Sequence, residues 1–503
     1  MRPVSEALRH APFARQHLLL GAIVVCAAVA VAAVLGGQPL VAAGILFSLM
    51  GVLAIILWPE AAVPAVILVL YANVAVVAVK FHGVPPAVGM LAPAPLLIPL
   101  IYWVVFRREP LILTATLPAI VLFLLVQLVS ALGSQDPHLA VKVAKTSLLE
   151  GLAIYLVVTN VVRSSRLLRR TVWALLAAGA IMGGLSAFQQ ATGTLHKDYG
   201  GFAQVSQGQG FGVESGRGIV RQRRLCGPIG EQNRYAQIML MLLPLGLFSA
   251  VGQPSRGRKA LALAATGLTA AGCTLAFSRG AAVGFVLMIL VMAAMRCIKW
   301  KHVAGIALAT GLLLLAVPQY RVRLVSIPST LGLFEKYGTA ADEPDAAVRG
   351  RATAMLAAVR VWAKYPLLGV GPGMFNYYSR DYGKEGGFRA LEGTREAHNL
   401  YLDILAEQGL LGLIAFLAIL AVSLNRLARA RRAARICRPE MAAMAGGFTL
   451  ALVGYLATGL FLHFSYVRYF WLMLALADAA ACIISRSAGT DSQTETEHTA
   501  AAG

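Results

Sequence analysis

Long apolar runs recur along most of this chain, and they constrain its fold more than any other feature. The stretch HLLLGAIVVCAAVAVAAVLGG at 17–37 is long enough to cross about 30 Å of hydrocarbon as a helix. Only 13% of the residues are charged, against about 25% in soluble proteins. Backbone groups in lipid must be satisfied internally, which a helix does along its own length. The sequence therefore predicts an all-α polytopic integral membrane protein.

Fourteen apolar runs are candidate spans, and some are short or interrupted by Gly and Pro, so we predict 12 to 14 transmembrane helices. The first run follows a basic start and has no convincing small-residue cleavage site, which indicates a retained helix and not a signal peptide. The runs lie at about 17–37, 40–58, 61–80, 88–106, 112–132, 141–162, 170–190, 233–251, 260–277, 280–296, 302–318, 402–425, 441–463 and 466–485.

Basic residues explain the topology better than they indicate a nucleic-acid partner. The net charge is +21, but Lys and Arg collect in alternate short loops, most strongly in RLARARRAARICR at 426–438. This is the positive-inside pattern. It predicts cytoplasmic termini and two long loops on the outer face, at 191–232 and 319–397.

The predicted organisation follows from these loops. The second is too long for a mere connector, and an apolar stripe at helical spacing in 344–366 (Met355, Leu356, Val359 and Trp362) predicts an amphipathic helix within it. The polar end of the chain is predicted to be disordered. The segments are scaffold helices at 1–190, an outer loop at 191–232, central helices at 233–318, a large outer loop at 319–397, C-terminal helices at 398–485 and a cytoplasmic tail at 486–503.

Arginines on the predicted outer face are candidates for anion binding. Arg279 lies in the tight turn FSRGA between two apolar runs, where a basic residue departs from the positive-inside trend. It either reaches to lipid headgroups or holds a phosphate, whose oxygens match the planar guanidinium. Arg351 and Arg349 begin the amphipathic helix, and phosphate binding and a solvated helix end are equally compatible with their position.

Two further stretches precede apolar helices on the same face. In RRLCGPIGEQNRYA at 223–236, Asn233 is predicted to cap a helix, and Arg224 adds positive potential. At 398–399, His398 and Asn399 stand at the start of the next apolar helix. A histidine there serves as a cap or as a general base, since a helix N-terminus disfavours imidazolium. The partner of His398 is left open, and His463 is interpreted as structural.

The sequence carries no motif for a metal or a nucleotide. No outer HExxH or DxD and no Walker A loop occurs, and GVGPG at 369–373 is interpreted as a turn. The six cysteines are scattered, with only Cys226 in an outer loop, so neither a disulfide framework nor a thiolate metal site is supported. We therefore predict no cofactor and no metal.

At these residues the chain resembles the bacterial O-antigen ligase and polymerase superfamily. CGPIGEQNRYA (226–236) is similar to its Gly-turn–Asn stretch, and FSRG (277–280) to its Ser-Arg-Gly turn. The stretch at 351–375 resembles its Arg-led helix ending in Pro-Leu-x-Gly-x-Gly, and AHNLYLDILAEQGLLGL (397–413) its His-helix-Glu-x-Gly block. The likeness covers about 226–413, and the motifs come in the family's order.

The resemblance implies a GT-C-type glycosyltransferase of the bacterial inner membrane with about twelve spans and its active site facing the periplasm. Its donor would be a glycan on undecaprenyl diphosphate, and its acceptor a hydroxyl of the lipid A–core oligosaccharide. The family's basic residues map onto Arg279 and Arg351, more loosely onto Arg224, and its histidine onto His398. Membrane lipids are expected partners and nucleic acids are not.

Other functions compete with this interpretation. An O-antigen polymerase would use the same donor with a second lipid-linked glycan as acceptor, and a protein O-oligosaccharyltransferase would use Ser or Thr on a protein. A transporter would need charges lining a path through the membrane. The spans carry few charges, mainly Lys142, Lys145 and Glu150, which favours an enzyme over a transporter.

Overall fold

The computed structural model shows a mostly helical protein. It describes residues 59–206, 211–215, 218–253, 255–316, 319–320, 346–384, 396–464 and 467–501. The predicted spans at 17–37 and 40–58 lie outside the described residues.

The helices follow one another with short connections. Those before residue 200 are α1 (Pro59–Tyr71), α2 (Val74–Phe81), α3 (Pro86–Met90), α4 (Leu97–Ile101), α5 (Leu117–Leu132), α6 (Pro137–Ser147), α7 (Ile154–Val161) and α8 (Ser165–Ala191). A 3-10 helix at Ala94–Leu96 and π-helices at Tyr102–Phe106 and Leu148–Ala153 connect some of them. Those after residue 230 are α9 (Gln232–Val251), α10 (Arg256–Leu275), α11 (Arg279–Ala294), α12 (Trp300–Ala316), α13 (Ala346–Lys364), α14 (Phe375–Lys384), α15 (Leu400–Ala434), α16 (Pro439–Gly459) and α17 (Val467–Ala501).

Within the described residues, six helical stretches are long and apolar enough to cross a membrane, or seven if the bent pair α1–α2 counts as one span. Other predicted spans are shorter or interrupted. The run at 112–132 yields the 16-residue helix α5, and the run at 141–162 is divided by a π-helix. Helix breaks of this kind are tolerated in membrane proteins where neighbouring groups satisfy the backbone.

By contacts the chain divides into two units, one formed by 1–113 and 157–175 and the other by 114–156 and 176–503. In the first, α1 and α2 meet at a 51° bend next to Asn73, which has a left-handed backbone with φ 60°. Arg163 forms an ion pair with Glu109 at 2.9 Å, and the Asn160 side chain accepts a hydrogen bond from the Ile112 N–H at 2.6 Å. These contacts join the segment after Phe106 to the end of α7.

The second unit contains every predicted site residue. Its helices pack closely where small residues face each other: a Cβ at Gly183 would lie 2.0 Å from the Leu268 carbonyl oxygen, and one at Gly246 would lie 2.1 Å from Thr266 Oγ1. Small residues are the usual means by which membrane helices approach. Helix α9 packs against α10 and α16, while α15 packs against α5, α16 and α17.

A buried carboxylate joins three helices of this unit. Asp478 on α17 is 0% exposed and pairs with Arg426 of α15 at 3.1 Å. It also accepts hydrogen bonds from Ser423 at 3.0 Å and from Tyr155 of α7. A charge in an apolar bundle requires such partners, so this cluster fixes how α15 and α17 pack.

The predicted all-α class needs a correction, because 191–232 contains strands. Gln204–Val205 (β1) pairs antiparallel with Leu225–Gly227 (β4), and Phe211–Ser215 (β2) pairs antiparallel with Gly218–Gln222 (β3). The Gly-rich composition concealed them, since each strand is only two to five residues long.

Two further predictions differ in detail. Helix α13 occupies the segment where an amphipathic helix is predicted, but its buried face consists of Ala354, Ala357, Ala358 and Val361, while Val359 is 38% exposed. Packing against α15 selects small side chains over large ones. At the C-terminus, α17 continues through Ala501 into the tail predicted to be disordered, a continuation that its Ala, Glu and Gln residues allow.

Candidate functional site

Three of the sequence motifs meet at the connection between α16 and α17, residues 460–464. The Arg234 guanidinium of α9 donates to the His463 carbonyl, and Asn399 Nδ2 donates to the Leu460 carbonyl at 3.1 Å. In the turn before α11, a Cβ at Gly280 would lie 3.1 Å from the Cβ of Phe461. The connection therefore gathers the starts of α9, α11 and α15 at one end of the bundle.

His398 precedes the helix that it was predicted to start. Asn399 is the N-cap of α15, and its side chain accepts the N–H groups of Tyr401 and Leu402, both at 3.0 Å. His398 lies one residue earlier, half-buried, with a left-handed backbone of φ 51°. Such a backbone is uncommon for a residue other than glycine and needs support from its surroundings.

A second histidine supplies part of that support. The rings of His398 and His463 lie edge to face, with their centroids 6.0 Å apart at 77°. His463 was interpreted from sequence as structural, and its place beside His398 was missed. The only sequence signal was a histidine at the predicted outer end of each of two consecutive C-terminal spans.

Glu396 completes a charged group with the two histidines. Its Oε2 lies 2.6 Å from His463 Nε2. Burial raises the pKa of Glu396, but the hydrogen bond from His463 and the positive charges of His463, His398 and Arg234 outweigh it, so the pKa lies below its ordinary value. Glu396 is therefore ionised at neutral pH.

Asp403 acts on the connection. Its Oδ2 accepts the Phe464 N–H at 3.1 Å, and the residue is only 9% exposed. Asp403 lies one turn into α15, so it fixes the connection on the far side of the two histidines.

Asn233 does not cap α9, which corrects the sequence prediction. The N-cap is Glu231, whose carboxylate accepts the N–H groups of Asn233 at 3.0 Å and Arg234 at 2.6 Å. The longer Glu side chain reaches both groups and brings negative charge to a helix N-terminus. Asn233 Oδ1 is left to accept hydrogen bonds from Arg224 at 2.7 Å and Ser278 at 3.1 Å.

Arg224 is more buried than its predicted role suggests. It is 7% exposed, and its Nε donates to the Ala276 carbonyl at 2.8 Å. With its bond to Asn233, this joins the stretch before α9 to the turn before α11. The diphosphate role of Arg224 stays a prediction, beside a framework role that the hydrogen bonds establish.

Arg279 occupies the first position of α11. Ser278 is the N-cap, accepting the Ala281 N–H at 3.3 Å, and Phe277 before it has φ 48° and packs on Tyr320 with centroids 4.9 Å apart. The Arg279 side chain is half-buried. A helix N-terminus favours anions, so the guanidinium and the helix end add positive potential at one place.

Arg351 lies on α13, half-buried in the second turn of the helix, whereas Arg349 lies on the same helix with only its backbone described. Residues Ala357, Ala358 and Val361 belong to the same core cluster as Ala397, which precedes His398. Helix α13 therefore packs next to the histidine.

Two of the recognised motifs interlock around a break in α15. At Gly409 the backbone is non-helical, with φ 65° and ψ −165°. The turn after α13 enters there: Leu410 and Leu411 donate to the carbonyls of Pro366 and Leu367 at 2.8 and 3.2 Å. Val370 and Gly371 donate in return to the carbonyls of Ala406 and Glu407, at 3.0 and 2.8 Å.

The side chains at this break serve the same junction. Ser130 Oγ of α5 bonds with the carbonyls of Leu368 at 2.6 Å and Glu407 at 2.8 Å, while the Glu407 carboxylate accepts the N–H of Phe375 at the start of α14 at 3.3 Å. The Pro-Leu-x-Gly-x-Gly and Glu-x-Gly sequences are thus halves of one joint, which ties α13 to the helix that follows His398.

Within the described residues, no group of three or more His, Cys, Asp or Glu side chains is placed to hold a metal ion. The described cysteines are free. Burial and the charge of Glu231 raise the pKa of Cys226 to about 12, against a smaller opposing effect of Arg224.

Comparison with known proteins agrees with the geometry. Residues 262–417 match the family model described as O-antigen ligase, a range that includes Arg279, Arg351, His398 and the interlocked joint. A search of curated proteins finds no match. The matched range holds the motifs that the structure brings together, and the chain is a member of the O-antigen ligase family.

Proposed function

We propose that the protein is an O-antigen ligase. It transfers a glycan from undecaprenyl diphosphate to a sugar hydroxyl of lipid A–core oligosaccharide during lipopolysaccharide biosynthesis. The proposal includes a GT-C-type fold of about twelve spans in the inner membrane, with cytoplasmic termini and the site facing the periplasm. The observation that carries it is the convergence of the His398, Arg279 and Arg234 segments on residues 460–464.

The donor diphosphate is held by arginine. Arg279 at the helix N-terminus and Arg351 on α13 bind its oxygens, with Arg224 adding potential from behind. Guanidinium groups fixed before the reaction stabilise the charge that grows on the leaving diphosphate. Arginine then supplies the neutralisation that a metal ion would otherwise provide.

His398 takes the proton of the acceptor hydroxyl. As that oxygen attacks the anomeric carbon, the bond from the carbon to the phosphate oxygen breaks and its electron pair leaves with the diphosphate. A single displacement inverts the anomeric centre. Proton removal by a positioned base contributes about 10²–10⁴-fold to such a rate.

The test is transfer by purified protein in nanodiscs, with lipid-linked glycan and lipid A–core as substrates. We expect His398→Ala to lower transfer at least about 100-fold. His196→Ala, which changes an exposed histidine elsewhere, should retain activity. EDTA should have no effect.

Different products would redirect the proposal. Longer lipid-linked chains without lipid A–core product would identify a polymerase, and transfer to protein Ser or Thr an oligosaccharyltransferase. Full activity of His398→Ala would refute the base, and loss with EDTA that Mg²⁺ restores would refute the arginine argument.

A further inference from the structure

The pair formed by Glu396 and His463 has a defined polarity. The Glu396 carboxylate is ionised, so His463 Nε2, 2.6 Å away, carries the proton and donates it to that hydrogen bond. In the neutral ring the other nitrogen, Nδ1, is then an acceptor. Among the described residues, Nδ1 is buried with no hydrogen-bond partner. A buried polar atom of this kind calls for a functional or solvent-based explanation.

His463 is also well fixed. Its backbone carbonyl is held by Arg234, the next residue donates its N–H to Asp403, and its side chain is only 16% exposed. His398 has the less favourable backbone, with φ 51°, and its ring meets the edge or face of His463 at 6.0 Å. The fixed ring is therefore the one able to orient the other.

The surrounding charges favour a cation on His398 during reaction. Glu396 is the ionised acid of the group, and Asp403 lies behind it on α15, while Arg234 on α9 and His463 itself are the basic groups that face it. When His398 accepts the proton of the sugar hydroxyl it becomes an imidazolium. A carboxylate nearby stabilises that form.

We infer that His463, paired with Glu396, is a positioning residue for His398: it sets the direction of the His398 ring and relays the stabilising charge of Glu396 to it. The inference rests on the proposed base role of His398. The proton moves only from the acceptor oxygen to His398, and Glu396 and His463 keep theirs throughout. The arrangement orders a carboxylate, a fixed imidazole and a reacting imidazole along one line of contacts.

The test combines kinetics with a measurement that needs no substrate. Diethyl pyrocarbonate modifies neutral imidazole, so the modification rate of His398 against pH, followed by peptide mass spectrometry, gives its titration midpoint. The variants are Glu396→Gln and His463→Gln. The control is Glu440→Gln, which removes an exposed carboxylate at the opposite end of α16.

Glu396→Gln should move the His398 midpoint to lower pH by about 0.5 unit, since a lost negative charge disfavours the imidazolium. Exposure of Glu396, 47%, keeps the shift modest. The acid limb of kcat/KM should move the same way, while kcat falls about 10-fold or more and KM for the donor stays within about twofold. The double variant should lose no more than the worse single variant, because both residues act along one path.

An unmoved His398 midpoint in Glu396→Gln, with or without lower activity, would overturn the inference and leave the pair a structural contact. The same holds if Glu440→Gln moves the midpoint equally. Activity remaining in His398→Ala would instead overturn the proposed function. The modification curve is recorded on folded protein whatever its activity, so the two failures are distinguishable.

Discussion

Replacing Gly409 with alanine is expected to open the joint between α15 and the turn after α13. The backbone there has φ 65° and ψ −165°, a region open essentially to glycine alone. An added Cβ would lie 2.3 Å from the carbonyl carbon and oxygen of Leu367 and 2.5 Å from Leu368 N. These are backbone atoms, so no side-chain rotation relieves the contact.

The magnitude follows from two additive costs. A side chain in this backbone region costs about 1–3 kcal/mol, and inserting a methyl group into a packed site costs about 1–3 kcal/mol. The expected loss in the free energy of unfolding is about 2–6 kcal/mol. Four backbone hydrogen bonds cross the joint, each of net value about 0.5–1.5 kcal/mol. The protein can therefore relieve the clash only by giving up interactions of similar total value.

The assay is thermal unfolding of detergent-purified protein, with transfer activity measured in parallel. Gly409→Ala should lower the unfolding midpoint by about 5 °C or more and reduce transfer, because α13 carries Arg351. The matched control is Gly267→Ala on α10, an exposed helical glycine with nothing within 4 Å of the added Cβ. That change should be neutral or stabilising, as alanine favours helix. Equal midpoints for Gly409→Ala and the wild type would refute the reasoning.

Two further predictions concern other parts of the second unit. Asp478→Ala should destabilise the protein by about 3–5 kcal/mol by leaving Arg426 buried without its carboxylate; a thermal midpoint like that of the exposed change Glu440→Ala would contradict this. Cys437, exposed in the turn between α15 and α16, should react with a membrane-impermeant maleimide only from the cytoplasmic side, measured in intact and everted vesicles; labelling from the periplasmic side would reverse the topology. At pH 8 the Cys226 thiol should stay unlabelled, because raising its pKa from 9.0 to about 12 leaves about 1,000-fold less thiolate.

The sequence by itself determined the class of the protein and the location of its motifs. Apolar runs and charged loops are properties of short windows, because the solvation of each residue acts locally. The helix at Ala346–Lys364, the Gly/Pro turn after it and the N-terminal placement of Asn399 follow from such local signals. The family resemblance likewise came from short motifs in a fixed order.

Only the tertiary structure decided which motifs touch. Asn399 and Leu460 are 61 residues apart, and Arg234 and His463 are 229 apart. Contacts over such distances depend on how helices pack, which no local window encodes. For this reason the sequence left the surroundings of His398 open, and the structure supplied His463.

The same reason accounts for the local errors. Which residue caps α9 depended on the reach of Glu231 against the demands of Arg224 and Ser278 on Asn233. Which face of α13 is buried depended on α15 admitting only small side chains. Hydrophobic periodicity places a helix, and the shape of its neighbour chooses the face.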